Sequence, residues 1–186
     1  MQLDTEILET ISTSTGESLQ HILTQTPVLL CFLRHFGCTF CRESLADIAD
    51  LQPVIEKSGL KIVLVHMANN EIAEEYINRY KLKNPPHISD PDKSLYEYFG
   101  ISKGNFWQLY GLKVWARGLK AGLVDGHGLQ IDSDLGDYSQ MPGVFIVNEN
   151  RIIEQFVHRS AADRPDYAKM ISSFLQKKQI SNRPLD

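Results

Sequence analysis

The sequence predicts a three-layer α/β fold: a central mixed sheet with a parallel βαβ unit, closed by a β-hairpin and a last helix. Three observations carry it. An apolar run, Val28-Leu29-Leu30-Cys31-Phe32-Leu33, is followed by a helical pattern that starts at Cys38-Thr39-Phe40-Cys41. A second apolar run, Lys61 to Met67, returns after that helix. Two more runs, Val144 to Val147 and Ile152 to Val157, flank the turn residues Asn148-Glu149-Asn150.

The elements follow in order. Ile7, Leu8 and Ile11, then Leu19, Ile22 and Leu23, recur at helical spacing and predict two short amphipathic helices, broken at Ser12-Thr13-Ser14-Thr15-Gly16. The first strand is apolar on both faces, as a strand between helices must be. The helix from the tetrad presents Cys41, Leu45, Ile48, Leu51 and Ile55 as one stripe. Pro53 is expected to kink or end it, since its ring removes an N–H and clashes with the preceding turn. The second strand, after Gly59, should run parallel to the first because a whole helix separates them.

A second helix is expected from Asn70 to Tyr80, with Ile72, Tyr76 and Tyr80 facing inward. Pro85-Pro86 interrupts, followed by a short strand at His87-Ile88-Ser89 and a helix near Lys93 to Phe99. Phe106, Trp107, Leu109, Tyr110, Val114 and Trp115 suggest an irregular amphipathic helix, serving as core or dimer surface. Gly122 to Asp137 reads as loop. The final helix is expected from about Pro165 to Gln176, with Pro165 near its first position and Asp163 or Ser160 as cap. No repeat or linker intervenes, so residues 1–186 read as one domain, with a core at about 15–178 and an insertion at about 101–140. Strand–helix–strand, then hairpin–helix, around a CxxC is the thioredoxin-like arrangement.

Composition excludes several function classes. The 186-residue chain is 42% hydrophobic with a net charge of −4, which favours neither nucleic acid nor an anionic membrane as partner. No apolar run approaches the roughly 18 residues that span a bilayer. The start, Met-Gln-Leu-Asp-Thr-Glu, does not read as a secretory signal, and three cysteines are too few for a secreted disulfide framework. A reducing, cytoplasmic location is the expectation.

The tetrad carries the chemistry. A helix N-terminus presents unpaired N–H groups and positive dipole, both of which favour a thiolate. Cysteines at i and i+3 of a first turn share a face, so Cys38 and Cys41 can meet with disulfide geometry. On this spacing Cys38 stays accessible and attacks, while Cys41, one turn in, resolves. Arg34, His35 and Arg42 are expected to add positive potential, and His35 to aid proton transfer. Zinc needs four ligands, and no second CxxC or paired histidines supply them, so neither metal nor cofactor is expected. Cys31, inside the strand, reads as a small core residue. Asp132, Asp134 and Asp137 do not match a calcium loop, and His66, His127 and His158 read as structural or exposed.

From Phe32-Leu33-Arg34-His35-Phe36-Gly37-Cys38-Thr39-Phe40-Cys41-Arg42-Glu43 the chain resembles the peroxiredoxin-like branch of the thioredoxin superfamily. This is the AhpC/TSA-related group that includes selenoprotein U- and L-type proteins and their cysteine relatives. The resemblance extends through Ile88-Ser89-Asp90-Pro91-Asp92, Gly136-Asp137, Gln140-Met141-Pro142-Gly143-Val144-Phe145 and Asp163-Arg164-Pro165, over roughly residues 15 to 175. It implies a thioredoxin-like fold, a redox-active dithiol and antioxidant activity. It also implies that Pro142, with the Met141 backbone, faces the dithiol and shapes a substrate groove. There the Met141–Pro142 bond is expected to be cis, although only ~5% of X–Pro bonds generally are.

In the register Pro-x-x-x-Thr/Ser-x-x-Cys of typical peroxiredoxins, Cys41 takes the peroxidatic position and Cys38 replaces the hydroxyl residue. Three functions follow as expectations. The first is a thiol–disulfide oxidoreductase cycling Cys38 and Cys41. The second is a peroxidase with Cys41 peroxidatic and Cys38 resolving. The third is a redox-gated binding protein acting through the 101–140 insertion. The expected partners are a disulfide or peroxide substrate, a thiol reductant and a second copy of the chain.

Overall fold

A computed structural model describes residues 1–105, 109 and 133–181. Its centre is a five-stranded mixed sheet in the order β3-β2-β1-β4-β5. Strand β1 (Val28–Phe32) pairs in parallel with β2 (Lys61–His66), Val28 opposite Lys61 and Phe32 opposite Val65. Strand β3 (His87–Ser89) extends the parallel side, and β4 (Gly143–Asn148) lies antiparallel on the other flank of β1. Strand β5 (Arg151–Val157) closes the hairpin across Glu149 and Asn150, both at positive φ, as a two-residue turn of this hand requires.

Three of the helices are capped as their sequences dictate. In α1 (Thr5–Thr10) Asp4 accepts from Glu6 N, in α2 (Leu19–Gln25) Ser18 accepts from His21 N, and in α4 (Asn70–Arg79) Asn69 accepts from Ile72 N. The buried face of α4 is Ala73, Tyr76 and Ile77; Tyr76 faces inward as expected, while Ile72 and Tyr80 are half-buried and pack against the edge of the core. A short α5 (Ser94–Tyr98) follows β3. The closing α6 (Tyr167–Ser181) begins two residues beyond Pro165. Its cap is Asp166, whose carboxylate accepts from Lys169 N at 2.9 Å, and not Asp163 or Ser160. Asp163 instead closes the preceding turn, accepting from the backbone N–H groups of Arg159 and Ser160.

Period-two alternation along β1 sets the layers. Phe32 packs its ring 5.0 Å from Tyr96 and from Phe99, on the α5 side. Cys31, 1% exposed, turns to the opposite face with α3 (Thr39–Lys57) and α6, the core position its sequence context predicts. The Tyr96 hydroxyl donates to the carbonyls of Leu33 and Val65, fixing the ends of β1 and β2 where the dithiol loop departs.

Helix α3 runs through Pro53 to Lys57, so the proline neither ends it nor marks its limit. Pro53 faces solvent, while Gln52 and Ile55 beside it are buried. The Gln52 amide oxygen accepts from Lys83 N at 2.9 Å, locking the turn in place. Gln52, not Leu51, completes the buried stripe. Since proline costs roughly 3 kcal/mol against alanine inside a helix, less the unfolded-state entropy it removes, Pro53→Ala should stabilise by about 1–2 kcal/mol. An upward shift of the urea midpoint without change of slope would show it.

Apart from the buried Leu109, the expected helix over Phe106 to Trp115, the aspartate at 132 and most of the glycine-rich loop lie outside the described residues. Among those described, no helix is long and apolar enough to cross a membrane.

Candidate active site

The strand-to-helix junction places both tetrad cysteines. Cys38 is the residue before α3, in extended conformation, and its carbonyl accepts from Arg42 N at 3.1 Å. Its own N–H donates to His35 O at 2.9 Å, tightening the loop between β1 and α3. Cys41 follows in the first turn. All three cysteines are free thiols.

Cys38 does not stay accessible: it is 3% exposed, hardly different from Cys41 at 4%. The cause is the loop before it, which folds over the sulfur. Phe36 stacks on Tyr76 at 4.8 Å, and Phe36 N donates to Leu135 O at 3.1 Å. Arg34, itself 7% exposed, bridges from the Cys38 sulfur, with Nη1 at 3.0 Å, to the carbonyl of Tyr138.

The electrostatics are set by burial more than by charge count. Desolvation pushes the Cys41 thiol far above its ordinary range, and the nearby Cys38 adds to this. A backbone hydrogen bond from Arg34 and the guanidiniums of Arg34 and Arg42 pull the other way without prevailing. Burial alone pushes the Cys31 thiol up to about 12. His35, 2% exposed, is pushed down to about 3 by desolvation and by Arg34, so it carries no charge at neutral pH. It adds no positive potential, and as a proton acceptor it is weak. Among the described residues, Arg34 Nε and His35 Nδ1 are buried without a hydrogen-bond partner.

Arg42 acts through the loop. Its Nε donates to Phe36 O at 2.9 Å and its Nη2 to the Tyr76 hydroxyl at 3.1 Å. On the far side of His35, Gly136 adopts φ +113°, and a Cβ there would meet Met67 at 3.1 Å and His35 at 3.3 Å. Only glycine satisfies both the conformation and the contact. Beside it Asp137 meets Lys93 at 3.0 Å and Lys103 at 3.6 Å. Burial pushes the Asp137 carboxyl up, but hydrogen bonds from Ser139 and Lys93 outweigh it and hold it well below the usual carboxylate range.

Met141 and Pro142 lead into β4, and Pro142 lines a cavity that Cys41 also lines. The Met141–Pro142 bond is trans, no cis peptide occurring among the described residues, so the cis expectation is corrected. A trans X–Pro bond is the lower-energy form, and this segment is held from both ends in it. The Gln140 side-chain amide donates to Ile101 O at 3.0 Å, and the Pro142 carbonyl accepts from His158 Nδ1 at 3.1 Å.

A cavity of about 20 Å³ lies between α3, β4 and the start of α6, lined in part by Cys31, Cys41, Pro142, His158, Arg164 and Tyr167. Among the described residues Cys41 borders it and Cys38 does not. Since a water requires roughly 10–15 Å³ on this measure, the space holds one very small molecule beside Cys41. His158, Arg164 and Tyr167 were not among the expected site residues; the only sequence signal was the Asp163-Arg164-Pro165 string. No group of three or more histidine, cysteine, aspartate or glutamate side chains is placed to hold a metal among the described residues.

The AhpC/TSA family model matches residues 11–156. A prostamide/prostaglandin F synthase from Salmo salar is 39% identical over 167 residues, covering 86% of this chain and 79% of that protein. The chloroplastic thioredoxin-like protein AAED1 of Arabidopsis thaliana is 32% identical over 76 residues, 41% of this chain and 30% of that protein, so the chain spans less than a third of that relative. Among solved structures, a Xanthomonas campestris bacterioferritin comigratory protein, studied for alkyl peroxide reduction, superposes with a TM-score of 0.62 at 16% identity, covering 98% of each chain. At that identity the likeness is one of fold.

Proposed function

This chain belongs to the AhpC/TSA family of peroxiredoxin-like, thioredoxin-fold redox proteins, and from that premise we propose that it is a thiol-dependent peroxidase in which Cys41 attacks and Cys38 resolves. The observation that carries the reading is the small cavity beside Cys41, which Cys38 does not border. In the first step the Cys41 thiolate attacks one oxygen of ROOH. The O–O bond breaks, Cys41 becomes the sulfenic acid, and the departing oxygen leaves as ROH after taking a proton. In the second, the Cys38 sulfur displaces hydroxide from Cys41–SOH, giving the Cys38–Cys41 disulfide and water. Two equivalents of an external thiol then restore the dithiol and leave as their own disulfide, which suits a reducing compartment such as the cytosol. We extend the proposed substrate class from hydrogen peroxide to organic peroxides, a reading supported by the alkyl peroxide reduction for which the bacterioferritin comigratory protein was studied.

The second reading, a dithiol oxidoreductase in which Cys38 attacks first, draws on the Arg34 guanidinium at 3.0 Å from the Cys38 sulfur. Single-turnover oxidation of Cys38→Ser decides between them. Under the peroxidase reading, stoichiometric peroxide converts Cys41 to a trapped sulfenic acid, read by mass spectrometry with a sulfenate-selective reagent. A Cys38→Ser protein that peroxide leaves untouched would sink the assignment.

A further inference from the structure

One wall of the Cys41 cavity is a strap, the turn from Arg159 to Asp166, and Arg164 ties it to α3. Ala161 and Ala162 of the strap are 1% and 2% exposed and Ala161 lines the cavity. Asp163 stiffens the turn by accepting from Arg159 N, Ser160 N and the Ser160 hydroxyl at 2.8–2.9 Å. Arg164 then reaches across to α3. Its Nε donates to Asp47 at 2.8 Å, its Nη2 to the other oxygen of the same carboxylate, and its Nη1 lies 3.4 Å from Glu43. Glu43 and Asp47 stand two and six residues beyond Cys41 on one helix, so the latch joins the strap to the element that carries the nucleophile.

We propose that the Arg164 latch onto Asp47 and Glu43 is a size filter for the peroxidase site: closed, it admits only a hydrogen-peroxide-sized molecule to Cys41, and released, it admits bulky organic hydroperoxides. The inference rests on Cys41 being the peroxidatic sulfur. Two magnitudes support it. The closed cavity, about 20 Å³, is far below the 300–1,000 Å³ of ordinary small-molecule pockets. Arg164, which ties the strap to α3, is 53% exposed, so its ion pair with Asp47 is open to screening by salt.

The test measures access to Cys41 apart from catalysis. In a Cys38→Ser background, alkylation of Cys41 by N-ethylmaleimide is compared with its reaction with the smaller methyl methanethiosulfonate, each followed on the peptide that contains residue 41. Adding Arg164→Ala, or raising salt to about 1 M where charges are screened within about 3 Å, should raise the bulky-to-small ratio roughly fivefold. The exchanged pair, Arg164→Asp with Asp47→Arg, should return the ratio towards that of the parent, which a merely unfolded strap would not do. In the protein with both cysteines, Arg164→Ala should raise kcat/KM for cumene hydroperoxide relative to hydrogen peroxide by a similar factor. An unchanged alkylation ratio in Arg164→Ala overturns the filter. A raised alkylation ratio with no peroxide oxidation of Cys41 upholds the filter and instead overturns the peroxidase assignment.

Discussion

Cys41→Ser is expected to lose peroxide turnover by at least about three orders of magnitude, the scale on which a sole nucleophile is missed. Cys38→Ser should fail differently, giving one oxidation and then arrest. The unresolved sulfenic acid of that variant then climbs to sulfinic and sulfonic acids under excess peroxide, because the Cys38 thiol that would capture it is gone. Cys38 as the residue before α3 and Cys41 in its first turn stand within one helical turn, so the wild-type disulfide closes without melting α3. The pH profile separates the sulfurs further. Burial holds the Cys41 thiol far above the ordinary range, so at neutral pH only a small fraction is thiolate. Below that pKa the fraction grows about tenfold per pH unit, so the second-order oxidation rate should climb from pH 7 to 9 without levelling. A plateau near neutrality, or full activity in Cys41→Ser, would move the first attack to Cys38.

The parts of this fold that the chain makes legible are those whose burial is local. Val28–Phe32 is apolar at every position, and every position is buried between layers. The start of α3 at the tetrad needs only a change from continuous to helical periodicity. What escaped depends on residues far along the chain. The burial of Cys38 rests on Tyr138, Leu135 and Tyr76, whose contacts with the loop cannot be read from spacing. The charge expected at His35 vanishes for the same reason, since burial is a tertiary property that outweighs its identity as a basic residue. Pro53 is tolerated because Gln52 and Ile55 are pinned from outside the helix, a packing effect that overrides propensity. Asp163 and Asp166 look alike in sequence; only the direction of the chain after Pro165 decides which of them caps α6.

The same tertiary placement creates the largest expected stability effect, at a pair of histidines 21 residues apart. The β2–β3 register, with Leu64 opposite His87 and His66 opposite Ser89, brings the two rings together. They are 1% and 3% exposed, with His66 Nε2 at 2.9 Å from His87 Nδ1 and His66 Nδ1 at 2.9 Å from the Ala68 carbonyl. A carbonyl only accepts, so His66 Nδ1 carries the proton and its Nε2 takes a hydrogen bond from His87. A further proton on His66 would set two N–H groups against each other. Desolvation, with His87 adding, pushes His66 down to about 3, and burial lowers His87 as well. His35 is likewise held near 3 by burial.

The sign follows from proton counting. Between about pH 6.5 and 3 the unfolded chain binds protons at these imidazoles that the folded chain refuses, so stability rises with pH across that window and is lost as pH falls. At about 1.4 kcal/mol per pH unit, His66 and His35 should each remove about 2 kcal/mol by pH 5, together a large part of a marginal 5–15 kcal/mol. Urea midpoints should therefore fall steeply from pH 7 to pH 5. The double variant His66→Gln, His87→Asn, which keeps neutral hydrogen-bonding groups, should begin lower at pH 7 yet show a flatter dependence. Equal midpoints at pH 7 and 5 in the wild type would mean that the pair accepts a proton in the folded state, and that the β2–β3 edge opens to let it in.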